Sequence, residues 1–253
     1  MIKLDLVGIG TGNPRHLTLE AIDALNAADL ILIPRKGAGK DDLAALRHRI
    51  CREVLDTPAP RLHEFDLPLR DAANPDYRAG VEDWHDAIAQ VWAREIRGQL
   101  GVSGRVAFLV WGDPSLYDST LRIAQRVTRE LPLIINVVPG ITSIQALTAG
   151  HAIPVNEIGE PFTVTTGRRL RDKGWPAGAQ TVVVMLDHGG AFKALPPEGI
   201  TIWWSAYAGM PEEIRISGPL KKVSPQIMDT REKLRARHGW IMDIYLLRRS
   251  SPK

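Results

Sequence analysis

The stretch Val7-Gly8-Ile9-Gly10-Thr11-Gly12 restricts the fold of this chain more than any other. It ends a strand-like segment, Ile2 to Val7, and precedes Leu17, Ala21, Leu25 and Ala28, which recur at helical spacing. Thr18 stands where an N-cap belongs, with Glu20 and Asp23 near the positive end of the helix dipole. Glycine at a strand-to-helix junction permits a tight turn and lets backbone amides approach a ligand closely. The turn therefore points to an α/β protein with its working edge at strand C-termini.

The following segments continue the alternation. Leu30 to Ile33 reads as a strand stopped by Pro34, and Val81, Trp84, Ile88, Trp92 and Ile96 mark a long helix ending near Gly98 and Gly101. Val106 to Val110 is a strand, Leu121, Ala124 and Val127 share a helix face, and Ile134 to Val138 closes the series. Such alternation predicts a parallel, doubly wound sheet. After Pro139-Gly140 the pattern changes, so two α/β domains are expected, 1–139 and 140–253. The second opens with a helix from Ile141 to about Gly150. Strands are predicted at Phe162–Thr166, Thr181–Leu186, Ile200–Ser205, Ile214–Ser217 and Ile241–Leu247, the last of them paired as hairpins in a mixed sheet. Gly37–Asp42 and Leu69–Tyr77 read as mobile loops.

Composition bounds the setting. A membrane helix needs about 20 apolar residues, whereas the apolar runs here, such as Val106 to Trp111, are short. The N-terminus passes straight into strand pattern without signal-peptide architecture. The single cysteine, Cys51, precludes an internal disulfide and a thiolate metal cluster, and reads as a buried apolar residue. A cytoplasmic protein that engages no membrane is expected. The formal charge of +3 is small for a nucleic-acid binder, so none is expected as a partner. Basic residues cluster at Arg47, Arg49 and Arg52, at Arg168, Arg169, Arg171 and Lys173, and at Arg231, Lys233, Arg235 and Arg237. Along helices such clusters are usually solvated faces. The second follows a predicted strand and suits ligand carboxylates better.

Three strand-end motifs carry the candidate chemistry. The dinucleotide fingerprint asks for glycine at its sixth position, where Asn13 stands, and for an acid near the end of the second strand, which reads Ile33-Pro34-Arg35-Lys36. A nicotinamide cofactor is disfavoured. Gly39-Lys40 lacks the remainder of a phosphate loop. Trp111-Gly112-Asp113-Pro114-Ser115-Leu116-Tyr117 follows the third strand. There Asp113 either caps a helix begun by Pro114 or accepts from a ligand. Val138-Pro139-Gly140-Ile141-Thr142-Ser143 again ends a strand in a tight turn, with two hydroxyls at a helix start.

Together the three motifs resemble the tetrapyrrole methyltransferases, also called class III. That family's pattern is a Val-Gly-x-Gly-x-Gly turn followed by Pro and Leu-Thr, then Gly-Asp-Pro, then Pro-Gly-Ile-Thr-Ser. The resemblance implies the tetrapyrrole methylase fold, two α/β domains with the active site in the cleft between them, and a homodimer. It implies S-adenosylmethionine as cofactor, held by Gly10, Thr11, Trp111, Gly112, Asp113, Leu116, Thr142, Ser143 and Met185, with a last contact at Ala206 and Tyr207. It also implies a small-molecule tetrapyrrole substrate.

A finer resemblance rests on Pro34-Arg35-Lys36-Gly37, Lys40-Asp41-Asp42-Leu43, Val81-Glu82-Asp83-Trp84-His85, Phe108 to Thr120 and Thr165-Thr166-Gly167-Arg168-Arg169-Leu170. It points to the branch that methylates a precorrin at ring carbon 1 and releases an acetyl group as acetate in aerobic cobalamin biosynthesis. Methyl transfer from a sulfonium depends mostly on positioning, and deacetylation needs a water, a base and donors for the oxyanion. Where a relative acting on uroporphyrinogen has an acid, this chain has Pro34. That leaves Arg35 and Asp113 as catalytic candidates and no evident base. Arg35, Lys36, Arg168 and Arg169 are the expected clamps for substrate carboxylates, since a guanidinium fork binds them bidentately. His85, His151 and His188 lack metal-ligand spacing, and no metal is expected. The other readings are methylation of another precorrin, of uroporphyrinogen or of the diphthamide precursor, and a non-catalytic nucleotide-binding regulatory module.

Overall fold

A computed structural model describes residues 1–35, 41–69, 77–239 and 241–250. The described chain divides into two compact units, Met1–Thr142 and Ser143–Lys253, three residues beyond the boundary expected at 139.

In the first unit five strands form one parallel sheet in the order β3-β2-β4-β1-β5. They are β1 (Ile2–Gly8), β2 (Leu30–Arg35), β3 (Arg61–Asp66), β4 (Gly104–Val110) and β5 (Leu133–Val138). The helices between them are α1 (Leu19–Asn26), α2 (Asp41–Val54), α3 (Tyr77–Leu100) and α4 (Thr120–Val127). Alternation along the strands divides the core. Ile2, Leu4, Leu6, Leu32, Val106 and Phe108 pack against Ile88, Trp92 and Ile96 of α3 and Ile123 and Val127 of α4. Val7, Ile31, Ile33, Ala107 and Leu109 pack against Ala21 and Leu25 of α1 and Ile50 and Cys51 of α2.

Handedness explains this division. The crossovers β1–α1–β2 and β2–α2–β3 move along the sheet in one direction, whereas β3–α3–β4 and β4–α4–β5 move in the other. Right-handed crossovers then place α1 and α2 on one face and α3 and α4 on the opposite one. The neighbouring strands β1 and β4 send their connections opposite ways, so the ligand-binding crevice of such a sheet opens above their C-terminal ends.

The second unit carries a mixed sheet in the order β6-β7-β10-β8-β9. It comprises β6 (Phe162–Thr166), β7 (Thr181–Met185), β8 (Ile200–Ala206), β9 (Ile214–Pro219) and β10 (Asp243–Arg249), with helices α5 (Ser143–His151), α6 (Gly167–Lys173) and α7 (Leu220–His238). Strands β6 and β7 are parallel, and β10 runs antiparallel to both β7 and β8. The C-terminal ends of β6, β7 and β8 therefore share one edge.

Several expectations are corrected. Among the described residues only β8 and β9 pair as a hairpin, because α7 carries the chain back to seat β10 in mid-sheet. Pro114 does not start a helix, since α4 begins at Thr120. Asp41, Asp42 and Tyr77, read as loop, belong to α2 and α3. The rest of those two segments, 37–40 and 70–76, lies outside the described residues apart from Leu69. Strand β3 was not anticipated. Thr18 caps α1 as expected, its Oγ1 accepting from Ala21 N at 3.0 Å. Cys51 is buried, and burial pushes its thiol up to about 11, which makes it inert. No helix among the described residues is long and apolar enough to cross a membrane.

Candidate active site

Above β1 and β4 the backbone closes on itself. Ile9 N donates to Val110 O at 2.9 Å, Gly112 N donates to Gly10 O at 2.8 Å, and Gly10 N donates to Gly112 O at 3.3 Å. The first two motifs thus form a short antiparallel bridge. The third packs onto them. A Cβ on Gly8 would lie 2.6 Å from Gly140 N, and one on Gly140 would lie 2.1 Å from Gly112 O. Such gaps admit only glycine. Gly112 differs, because its φ is +61° and a Cβ there would meet nothing nearer than Thr142 Cα at 3.7 Å. The space beside Gly112 is therefore open.

Asp113 fastens this arrangement. Its Oδ2 accepts from Gly140 N at 2.9 Å, and its Oδ1 accepts from Ser115 N at 2.8 Å and from the Ser115 hydroxyl. Burial alone would raise its pKa, but these three donors hold the carboxyl below its ordinary value. A carboxylate so engaged is a poor proton acceptor, which counts against Asp113 as the base. Leu116 N in turn donates to Asp113 O at 3.2 Å, completing the loop.

Arg35, at the end of β2, makes a bidentate pair with Asp66 at 3.0 Å per bond and reaches Glu64 at 3.5 Å. Two carboxylates thus already draw on the charge of the Arg35 guanidinium. Lys36 lies outside the described residues. Helix α2 supplies residues that were read as a solvated face. Arg47 Nε donates to Leu109 O at 3.2 Å, with the guanidinium 5.4 Å from the Trp111 ring centre. Burial lowers Arg47 to about 10 against the pull of Asp118. Arg49 donates to Gly12 O at 3.3 Å. Among the described residues the buried Trp111 Nε1 has no hydrogen-bond partner.

In the second unit, Thr166, Met185 and Ala206 stand at the C-terminal ends of β6, β7 and β8. Two residues there, Leu186 (φ 52°) and Tyr207 (φ 52°), take the left-handed conformation that side chains disfavour. Such conformations concentrate at ligand clamps and persist where the surroundings over-determine them. Those surroundings are a buried network. Asp187 accepts from Tyr245 OH at 2.7 Å, Gly189 N at 3.0 Å and Ala191 N at 2.6 Å, and Arg231 donates to its carbonyl at 2.8 Å. Arg231 also pairs with Asp243, which accepts from Trp204 Nε1 at 2.7 Å. Burial pushes Asp243 up to about 6 despite Arg231 and the indole N–H. Arg168 and Arg169 stand exposed on α6, whose start Thr166 caps at 3.3 Å.

Within the first unit the fold gathers Gly10, Thr11, Trp111, Gly112, Asp113, Leu116 and Thr142 at one edge. In the second, Ser143 begins α5, and Met185, Ala206 and Tyr207 share an edge with Arg168 and Arg169. Ala206 and Tyr207 are buried. Arg35 sits two strands from β1, tied to β3. From sequence Arg47 and Arg49 read as part of a solvated face, and His16 carried no assignment. The available signal for His16 was its place inside the first motif, between Pro14 and Leu17-Thr18. Among the described residues no three His, Cys, Asp or Glu side chains gather as a metal would require.

A model of the tetrapyrrole (corrin/porphyrin) methylases matches residues 3–224. The chain is 47% identical over 253 residues to the precorrin-6A synthase (deacetylating) of a Sinorhizobium species, covering 99% of this chain and 97% of that one. A solved structure of a cobalamin synthesis related protein from Corynebacterium diphtheriae superposes with a TM-score of 0.84 at 38% identity, covering 98% of this chain and 99% of that one. A uroporphyrin-III C-methyltransferase from Thermus thermophilus, solved with S-adenosylhomocysteine, shares the fold, with a TM-score of 0.59 at 20% identity over 97% of this chain and 96% of that one.

Proposed function

We propose, from the premise that this chain is a member of the tetrapyrrole (corrin/porphyrin) methylases, that it methylates precorrin-5 at ring carbon 1 and releases the acetyl group as acetate, giving precorrin-6A. The observation that carries this reading is the 47% identity with a deacetylating precorrin-6A synthase over nearly the full length of both chains.

The methyl donor in this reading is S-adenosylmethionine, which supplies an electrophilic methyl group on a sulfonium. The residues fit such a ligand. The opening beside Gly112 accommodates bulk without a side chain in the way. The left-handed turns at Leu186 and Tyr207 redirect peptide groups at the ends of β7 and β8. Trp111 offers an apolar ring with an indole N–H still to be matched. The donor's contacts are assigned to Gly10, Thr11, Trp111, Gly112, Asp113, Leu116, Thr142 and Ser143, and to Met185, Ala206 and Tyr207.

Asp113 acts by holding the Gly140 amide and its own loop rigid, so that the reacting groups meet in fixed geometry; alignment of this kind supplies much of the acceleration of a transfer reaction. Arg168 and Arg169 on α6 are assigned to the carboxylate arms of the corrinoid, where planar forks bind best. Arg35 and Lys36 remain proposed clamps, Arg35 with its charge shared between Asp66 and Glu64. The same reading includes a homodimer and a cytoplasmic location. Light scattering at twice the 28.0 kDa chain mass would support the dimer.

The test offers the purified protein methyl-labelled S-adenosylmethionine with precorrin-5, another precorrin and uroporphyrinogen in separate reactions. Label is expected in precorrin-5. Label confined to uroporphyrinogen or to another precorrin would reject the assignment.

A further inference from the structure

We propose that His16, oriented by Thr11, is the proton acceptor that activates water for deacetylation; this rests on the functional reading above. Hydrolysis of a ring-bound acetyl group begins with water adding to a ketone carbon, and a base must take the water's proton. Several titratable groups near the strand-end loops of the first unit are already committed elsewhere. Asp113 is engaged by three donors and held ionised. Asp118 accepts from Thr120 N at 2.6 Å. Arg35 and Arg47 are cations with no lone pair to offer. His48 is paired to Glu64 at 2.5 Å, and His63 to Glu95 at 3.0 Å. Cys51 is buried with its thiol pushed up.

His16 differs in place and orientation. It ends the 3-10 turn Pro14–His16 that follows the glycine motif. Its N–H donates to Asn13 O at 2.9 Å, which fixes the backbone. The side chain lies directly over Gly10, so closely that a Cβ on Gly10 would sit 2.8 Å from His16 Cβ. Gly10 is the residue bridged to Gly112, which places His16 on the wall formed by the first two motifs. The ring is half-buried, and its Nδ1 lies 3.3 Å from Thr11 Oγ1. In the tautomer in which Nδ1–H donates to Thr11, the lone pair resides on Nε2. A hydrogen bond at one ring nitrogen selecting the basic state of the other is the usual way proteins prepare an imidazole for proton transfer.

The step balances. Nε2 takes a proton from water as the hydroxyl oxygen bonds to the acetyl carbonyl carbon. The resulting tetrahedral adduct collapses, and the bond between that carbon and ring carbon 1 breaks. Acetic acid leaves, and the bonding pair stays on the macrocycle, delocalised through its conjugated system. Ring carbon 1 thereby becomes the nucleophile that methylation requires. The proton on His16 and that of acetic acid pass to solvent.

The test measures acetate release from precorrin-5 across pH for wild type, His16→Ala and His16→Asn, with S-adenosylhomocysteine affinity determined by calorimetry. His16→Ala is expected to slow acetate release about a hundredfold or more, to retain S-adenosylhomocysteine binding, and to recover partly with added imidazole. His16→Asn is expected to lose the acid limb of the kcat/KM profile. Acetate release within a few-fold of wild type, with the acid limb intact, would overturn the assignment. So would loss of S-adenosylhomocysteine binding in both variants, which would make His16 a structural support. A wild-type protein that released no acetate would defeat the functional reading itself, and this step with it.

Discussion

Gly140 sits where the ends of three strands converge, and no side chain fits there. A Cβ would come within 2.1 Å of Gly112 O and 2.8 Å of Gly8 Cα, both of them backbone atoms that cannot swing aside. Gly140→Ala should therefore destabilise the protein by about 3 kcal/mol through overpacking, measured as a lower urea midpoint at unchanged m-value. Gly98→Ala, inside α3 with nothing within 4 Å of its Cβ, should instead stabilise by roughly 0.5 kcal/mol. Both are single glycines in the sequence, and only spatial neighbours separate their signs. The same limit applies to Asp113 and His16. Their motif positions are legible in the sequence, but the donors that consume Asp113 come from Ser115 and from Gly140, 27 residues away. The bond between His16 and Thr11 depends on a three-residue turn that periodicity does not register.

Helices and strands with a regular apolar face were readable from sequence, and those without one were not. Strand β3, Arg-Leu-His-Glu-Phe-Asp, is largely exposed at a sheet edge and, among the described residues, pairs only with β2, so its sequence carries little hydrophobic signal. Helix α7 carries a run of charges that reads as a solvated face. Yet Arg231 turns inward and is 3% exposed, because β10 returns to mid-sheet and brings Asp243 beneath it. That pair, with Asp187, Tyr245 and Trp204, underlies the turns that follow β7 and β8. Arg231→Leu leaves the buried Asp243 without its counter-charge and should cost about 3–5 kcal/mol of stability. Adding Asp243→Asn should return part of that loss. Denaturant unfolding of the single and double variants would measure the coupling, and strictly additive costs would show that the pair does not act as a unit.

Across the whole molecule, alternation of strand and helix identified the parallel sheet, while the strand order required three dimensions. Once β1 and β4 are neighbours with opposed connections, handedness alone places the crevice above Gly8–Gly12 and Trp111–Tyr117, where the motifs stand. The proposed chemistry, two linked events on one carbon, rests on near-full-length identity to a deacetylating relative. The most direct measurement incubates the purified protein with precorrin-5 and methyl-labelled S-adenosylmethionine, and counts acetate and transferred methyl in the same reaction. The account predicts equimolar amounts of the two, in step throughout the time course. A methylated product that retains its acetyl group would contradict it.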